Sequence, residues 1–143
     1  MMTVAVSACL LGENCKYNGG NNYSARAAEF VKGHEVIPIC PERLAGMPAP
    51  RPNSEIVNGE IMNRAGRSVD ADYRRGAQMA LEIARREQPD LVILQSRSPT
   101  CGVNQIYDGT FSGKLVPGNG ITAQKLLDAG IAVYHEKQID SIR

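Results

Sequence analysis

Three apolar runs, each followed by turns and then helical patterning, constrain this chain most. Thr3–Cys9, Glu35–Cys40 and Leu91–Gln95 are short runs of apolar and small residues. Continuous runs of this length suit strands buried on both faces. A fourth run, Ile131–His135, closes the pattern before the tail. Between them lie helical segments. Ser24 can cap a helix over residues 25–32, with Gly33 as its stop. Residues 69–88 place Tyr73, Ala77, Ala80, Leu81 and Ala84 on one stripe, with Ser68 or Asp70 as the cap. Residues 121–129 form a shorter helix ending at Gly130. Strands alternating with helices predict a mostly parallel sheet covered on both faces. The expected fold is therefore α/β: one Rossmann-like three-layer domain over residues 1–143, with a mostly parallel four-stranded sheet.

Local signals refine this. Asn58-Gly59 between short alternating runs predicts a small β-hairpin insertion. Pro38 suits an edge strand, because proline donates no ladder hydrogen bond. Pro41, Pro48, Pro50 and Pro52 predict a largely extended loop. Residues 96–119 read as a long loop, and such loops are commonly functional. Arg74, Arg75, Arg85 and Arg86 lie off the helix stripe and read as a solvated face.

Composition excludes several classes. A chain of 143 residues with net charge +1 does not resemble a nucleic-acid-coating protein. No stretch approaches the ~20 apolar residues of a membrane span, and the apolar N-terminus lacks a basic leader. A cytoplasmic protein is expected. Four cysteines are too few for a disulfide framework at this size.

Those cysteines are placed suggestively. Cys9 ends the first run, Cys40 ends the second, and Cys101 lies in the loop after the third. In a parallel sheet all three reach one rim, where ligands bind in such folds. The plainer reading makes each a small core residue. Cys15, in the Gly/Asn-rich turn after the first run, is a fourth ligand, a resolving thiol or a bystander. Four thiolates suit structural zinc or a closed cluster. Three suit a cubane with one iron open to a soft ligand. A thiol-based redox protein using Cys9 or Cys15 is a further alternative.

Several segments carry a resemblance. They are Val6–Gly12 (VSACLLG), Tyr17–Gly19, Cys40-Pro41-Glu42, Pro48–Arg51, Ser98–Gly102 (SPTCG), Ile106–Gly113 (IYDGTFSG) and Gly118–Ala123. Together they resemble the TudS-like thiouracil desulfurases across nearly the whole chain. The resemblance implies a [4Fe-4S] cluster held by Cys9, Cys40 and Cys101, with zinc as the alternative metal. It implies a thiolated pyrimidine whose sulfur meets the open iron. Glu42 and Ser98 match the active-site carboxylate and serine. Thr100 stands where serine is common, and Asn18 where aspartate is common.

Within that frame Glu42 orients or deprotonates water and Ser98 holds the ring. The plainer roles are a carboxylate capping backbone N–H groups and a turn-former before Pro99. Arg51 is a candidate phosphate or carbonyl contact, with a surface salt bridge as its plainer role. Tyr107 and Asp108 are expected to line the pocket. Gly118-Asn119-Gly120 can cradle an anion at a helix start, or simply turn the chain. His34 and His135 are given no ligand role. The near-neutral charge favours a small thiopyrimidine over tRNA as the partner.

Overall fold

A computed structural model describes residues 1–142. The chain opens with β1 (Thr3–Ser7), and a 3-10 turn over Ala8–Leu11 follows directly. The first apolar run thus leaves the sheet before Cys9 rather than at it. Helix α1 (Ala25–Phe30) begins where Ser24 Oγ accepts a hydrogen bond from the Ala27 N–H, 3.1 Å away. Strand β2 spans Glu35–Ile39.

The proline-rich stretch departs from the extended reading. Pro41–Leu44 forms one helical turn, α2, with Cys40 at its cap. Proline suits that first position, because the missing N–H would have no helical partner there. The Leu44 N–H closes the turn on the Cys40 carbonyl at 2.9 Å.

Strands β3 (Ser54–Val57) and β4 (Glu60–Asn63) form the expected antiparallel hairpin. Asn58 and Gly59 take φ of 50° and 81°, the left-handed pair such a tight turn requires. Helix α3 spans Asp70–Glu87, and neither expected cap serves it. Asp70 Oδ1 instead accepts from the Ile61 N–H at 3.0 Å, and Ser68 donates to Glu60.

Strand β5 covers Leu91–Leu94. The long loop after it holds an unforeseen second hairpin, β6 (Gln105–Tyr107) and β7 (Leu115–Pro117). Helix α4 (Ile121–Asp128), strand β8 (Val133–His135) and a 3-10 turn over Glu136–Ser141 complete the chain.

Four strands pair in the order β2-β1-β5-β8, all parallel. Strand β2 is an edge, which is where Pro38 is tolerated. Alternate residues point to opposite faces. Ala5, Val92 and Leu94 pack with Ala80, Leu81 and Ala84 of α3 and with Ala123 and Leu126 of α4. Val4, Val6, Leu91 and Ile93 pack with Ala27 of α1 and with Ile139. The sheet is thus sandwiched between two helical layers, the three-layer α/β architecture expected. Among the described residues, no helix is long and apolar enough to cross a membrane.

Candidate functional site

The carboxyl ends of β1, β2 and β5 are neighbours, and the segments leaving them enclose a cavity of about 330 Å³. Cys9 enters from the 3-10 turn, Cys40 from the start of α2, and Cys101 from the loop after β5. Glu42, Arg51, Ser98 and Tyr107 line the same cavity. Asp108 is not among its lining residues. It folds back locally, Oδ1 accepting from the Thr110 N–H at 2.9 Å and its hydroxyl at 2.6 Å.

All four cysteines are free. Cys9, Cys15 and Cys40 pack together with Ala8. Contact with the Cys15 thiol and burial push the Cys40 thiol far above its ordinary value. The Cys15 thiol is pushed up to about 11: contact with Cys40 lowers it, but contact with Cys9 and burial outweigh that. Burial, then the Glu42 charge, holds Cys101 well above the usual thiol range. The site therefore keeps several neutral thiols crowded in a desolvated space, a donor set that surrenders protons when it takes a metal.

Glu42 and Arg51 form the electrostatic centre of the wall. Arg51 Nη2 donates to Glu42 Oε2 at 3.0 Å, with side chains only 7% and 15% exposed. That overturns the surface-salt-bridge reading of Arg51. Glu42 Oε2 also accepts from Cys40 Sγ at 3.7 Å. Among the described residues no backbone N–H is bonded to the Glu42 carboxylate, so it is not the loop-capping carboxylate of the plainer reading. Burial pushes the Glu42 carboxyl up from its usual range, while Arg51 pulls against it.

Ser98 takes the turn-forming role and lines the cavity. Its Oγ accepts from the N–H groups of Thr100 and Cys101, each at 3.0 Å. With its acceptor sites so engaged, the hydroxyl proton remains free to donate into the cavity. The turn also fixes Cys101.

Several lining residues have no sequence signature. Tyr73 belongs to the apolar stripe of α3 yet reaches the cavity, and burial and the Glu42 charge raise its phenol. Arg97 sits at φ 72°, a backbone strain for a side-chain-bearing residue. Among the described residues, Arg51 Nε and Arg97 Nε are the buried side-chain nitrogens or oxygens without a hydrogen-bond partner. Glu55 Oε1 accepts from the N–H groups of Gly109 (2.9 Å) and Phe111 (3.2 Å), tying the loop beyond Tyr107 to β3.

The glycine segment before α4 does not form an anion cradle. The N–H groups of Gly120, Ile121 and Thr122 go to the carbonyls of Gly102, Pro99 and Thr100 at 2.8–2.9 Å. A Cβ at Gly120 would overlap the Thr100 backbone, so close packing explains that glycine. The histidines serve locally: His34 Nδ1 accepts from the Met2 N–H and His135 Nδ1 from the Lys137 N–H.

The residues suit an iron–sulfur group better than zinc. Among the described residues, no three Cys, His, Asp or Glu side chains are spaced to hold one metal ion. Tetrahedral zinc asks for every ligand within about 2.0–2.3 Å of a single point. Soft thiols brought to one cavity from separate chain segments instead match a polynuclear cluster, which takes its ligands over several irons.

Comparison with known proteins agrees. The chain is 36% identical over 149 aligned positions to the uncharacterised protein YbbK of Bacillus subtilis (strain 168), covering 97% of this chain and 99% of that one. Its fold superposes on a solved [4Fe-4S]-dependent thiouracil desulfidase, TudS, with a TM-score of 0.91 and 32% identity, covering 99% of this chain and 95% of the other. Residues 4–138 match the 2-thiouracil desulfurase family. This chain belongs to the 2-thiouracil desulfurase family.

Proposed function

We propose that this protein is an iron–sulfur-dependent desulfurase that converts a thiolated pyrimidine and water into the oxo-pyrimidine and sulfide. The observation that carries the reading is one cavity lined by Cys9, Cys40 and Cys101 together with the buried Glu42–Arg51 pair. Cys9, Cys40 and Cys101 would hold a [4Fe-4S] cluster. That group supplies a Lewis-acidic iron with affinity for the thiocarbonyl sulfur.

The chain's own residues do the rest. Glu42, desolvated and raised, accepts a proton from the attacking water at its carboxylate. Arg51 holds that carboxylate in place and keeps the charged form accessible. Ser98 donates its hydroxyl proton to an acceptor on the pyrimidine ring. Tyr107 packs beside the ring, and Arg97 Nε offers a further donor. Oxygen replaces sulfur at carbon, both water hydrogens leave with the sulfide, and no oxidation state changes. This makes the reaction a thiocarbonyl hydrolysis. The substrate is a small thiopyrimidine or thionucleoside rather than tRNA, in keeping with a net charge of +1. Four free thiols support a reducing, cytoplasmic setting.

The test is sulfide release by anaerobically reconstituted protein from a panel of thiopyrimidines. One sulfide and one oxo-pyrimidine per turnover are expected. No sulfide from any thiopyrimidine, or an unchanged rate in Glu42→Ala, would overturn the reading.

A further inference from the structure

Asn22 lines the cavity but enters no step of the reaction above. Its side-chain Nδ2 donates to Cys9 Sγ at 3.5 Å, and its backbone N–H donates to the Cys9 carbonyl at 3.0 Å. One residue thus holds Cys9 at two atoms. The turn between them is tied down independently of the side-chain amide. The Gly12 N–H reaches the Cys9 carbonyl at 3.2 Å, and the Ser24 N–H reaches the Leu10 carbonyl at 2.9 Å. Asn21 Nδ2 donates to Asn14 Oδ1 at 2.9 Å. The Asn22 side-chain amide is therefore not needed to shape this segment.

The proposed ligands are served unequally. Cys40 Sγ faces Glu42 Oε2 at 3.7 Å, an oxygen that, when charged, has no proton to give. Cys9 faces an amide N–H, which donates at every ordinary pH. A ligating cysteine is a thiolate. An N–H bond to that sulfur draws charge from it and steadies its direction. Hydrogen bonds to the sulfurs are among the features that set the potential of an iron–sulfur group.

We propose that Asn22 is a positioning residue acting through Cys9: its amide orients the Cys9 sulfur and withdraws charge from it, so that the iron stays electrophilic toward a thiocarbonyl sulfur. The inference rests on the desulfurase reading above. Asn22 makes and breaks no covalent bond, and no electron moves.

The experiment compares wild type, Asn22→Ala and Asn22→Asp, each reconstituted anaerobically with iron and sulfide. Asn22→Ala removes the donor and leaves the backbone bonds of the turn in place, so its cluster-free form should unfold thermally as wild type does. Asn22→Asp keeps the shape and replaces the donor with a charge. Iron content should match in all three. The reduction potential, read by dye-mediated titration, should fall in Asn22→Ala and further in Asn22→Asp. For 2-thiouracil, kcat should drop about 10-fold in Asn22→Ala while KM moves little, the scale on which lost hydrogen bonds to metal ligands act. Unchanged potentials would overturn the inference. So would a shift in Asn22→Asp alone, because added charge rather than a lost donor would then be the cause. A raised KM at the wild-type potential would also overturn it, by making Asn22 a contact to the ring. Wild type that holds iron but releases no sulfide would instead sink the desulfurase reading, with the potentials still deciding the role of Asn22.

Discussion

Arg51 Nη2 stands 3.0 Å from Glu42 Oε2, and this ion pair is shielded from water on nearly every side. Such a pair is costly to break from one end, because the remaining charge stays buried. Arg51→Ala should destabilise the cluster-free protein by about 3 kcal/mol. Arg51→Ala with Glu42→Gln should recover much of that loss. Urea unfolding of both variants checks it. Equal losses in the single and double variants would show that the pair is not energetically coupled.

Ser98 should divide its effects between two measurements. Ser98→Ala removes the acceptor for two backbone N–H groups and should cost about 1–3 kcal/mol in stability. It also removes the proposed donor to the ring, so kcat/KM should fall about 10-fold or more. Ser98→Thr keeps the hydroxyl and should restore most of both. Steady-state kinetics beside thermal unfolding separates the two losses.

Glu55 is a positioning residue rather than a reacting one. Glu55→Ala frees the N–H groups of Gly109 and Phe111 and loosens the wall that carries Tyr107. KM for a thiopyrimidine should rise several-fold while kcat changes less. Glu55→Gln retains a carbonyl acceptor and should rescue KM. A fall in kcat with unchanged KM would place Glu55 in the chemistry instead.

Gly76 sets helix propensity against packing. Alanine normally gains about 1 kcal/mol over glycine inside a helix. Here a Cβ would overlap the Pro41 carbonyl oxygen, where α3 crosses α2. Gly76→Ala should therefore destabilise by about 1–3 kcal/mol. The displaced α2 carries Glu42 and follows Cys40, so iron uptake should fall as well. Thermal unfolding and iron content read both effects.

Asp70 contributes to the pH dependence of folding. Arg74, assisted by the Ile61 N–H, holds the Asp70 carboxyl below its usual range. A depressed carboxylate stabilises the fold above its unfolded value, about pH 3.9. That stability is lost as pH falls through the lower folded value. Asp70→Asn should flatten the acid arm of the stability curve in this window, as followed by urea unfolding from pH 6 to pH 3.

Much of this architecture was legible because its signals are local. The Asn58-Gly59 turn and the Ser24 cap each express one residue's backbone preference. Buried strands such as Leu91–Leu94 are marked by unbroken apolarity. The thiols' shared rim followed from parallel topology alone. What escaped was decided by tertiary context. Tyr73 keeps the helical period of a core residue, and periodicity does not separate core from cavity. Arg97 and Glu55 follow no pattern, since their roles depend on loops folding over the sheet. Asp108 sits beside Tyr107 in sequence, but its bonds to Thr110 draw it into a local turn. Pro41 read as part of an extended loop, yet the same residue begins α2.

The adjacency of β2, β1 and β5 has a consequence for biogenesis. The proposed ligands lie far apart along the chain and meet only when these strands align. Parallel pairing of distant segments is slow, because loop closure precedes any gain from contact. A nascent chain that has not yet extended past Cys101 lacks one of the three proposed ligands. On the proposed ligand set, iron–sulfur delivery would await synthesis past Cys101, and the cluster, once seated, would rivet early, middle and late segments into one kinetically resistant unit.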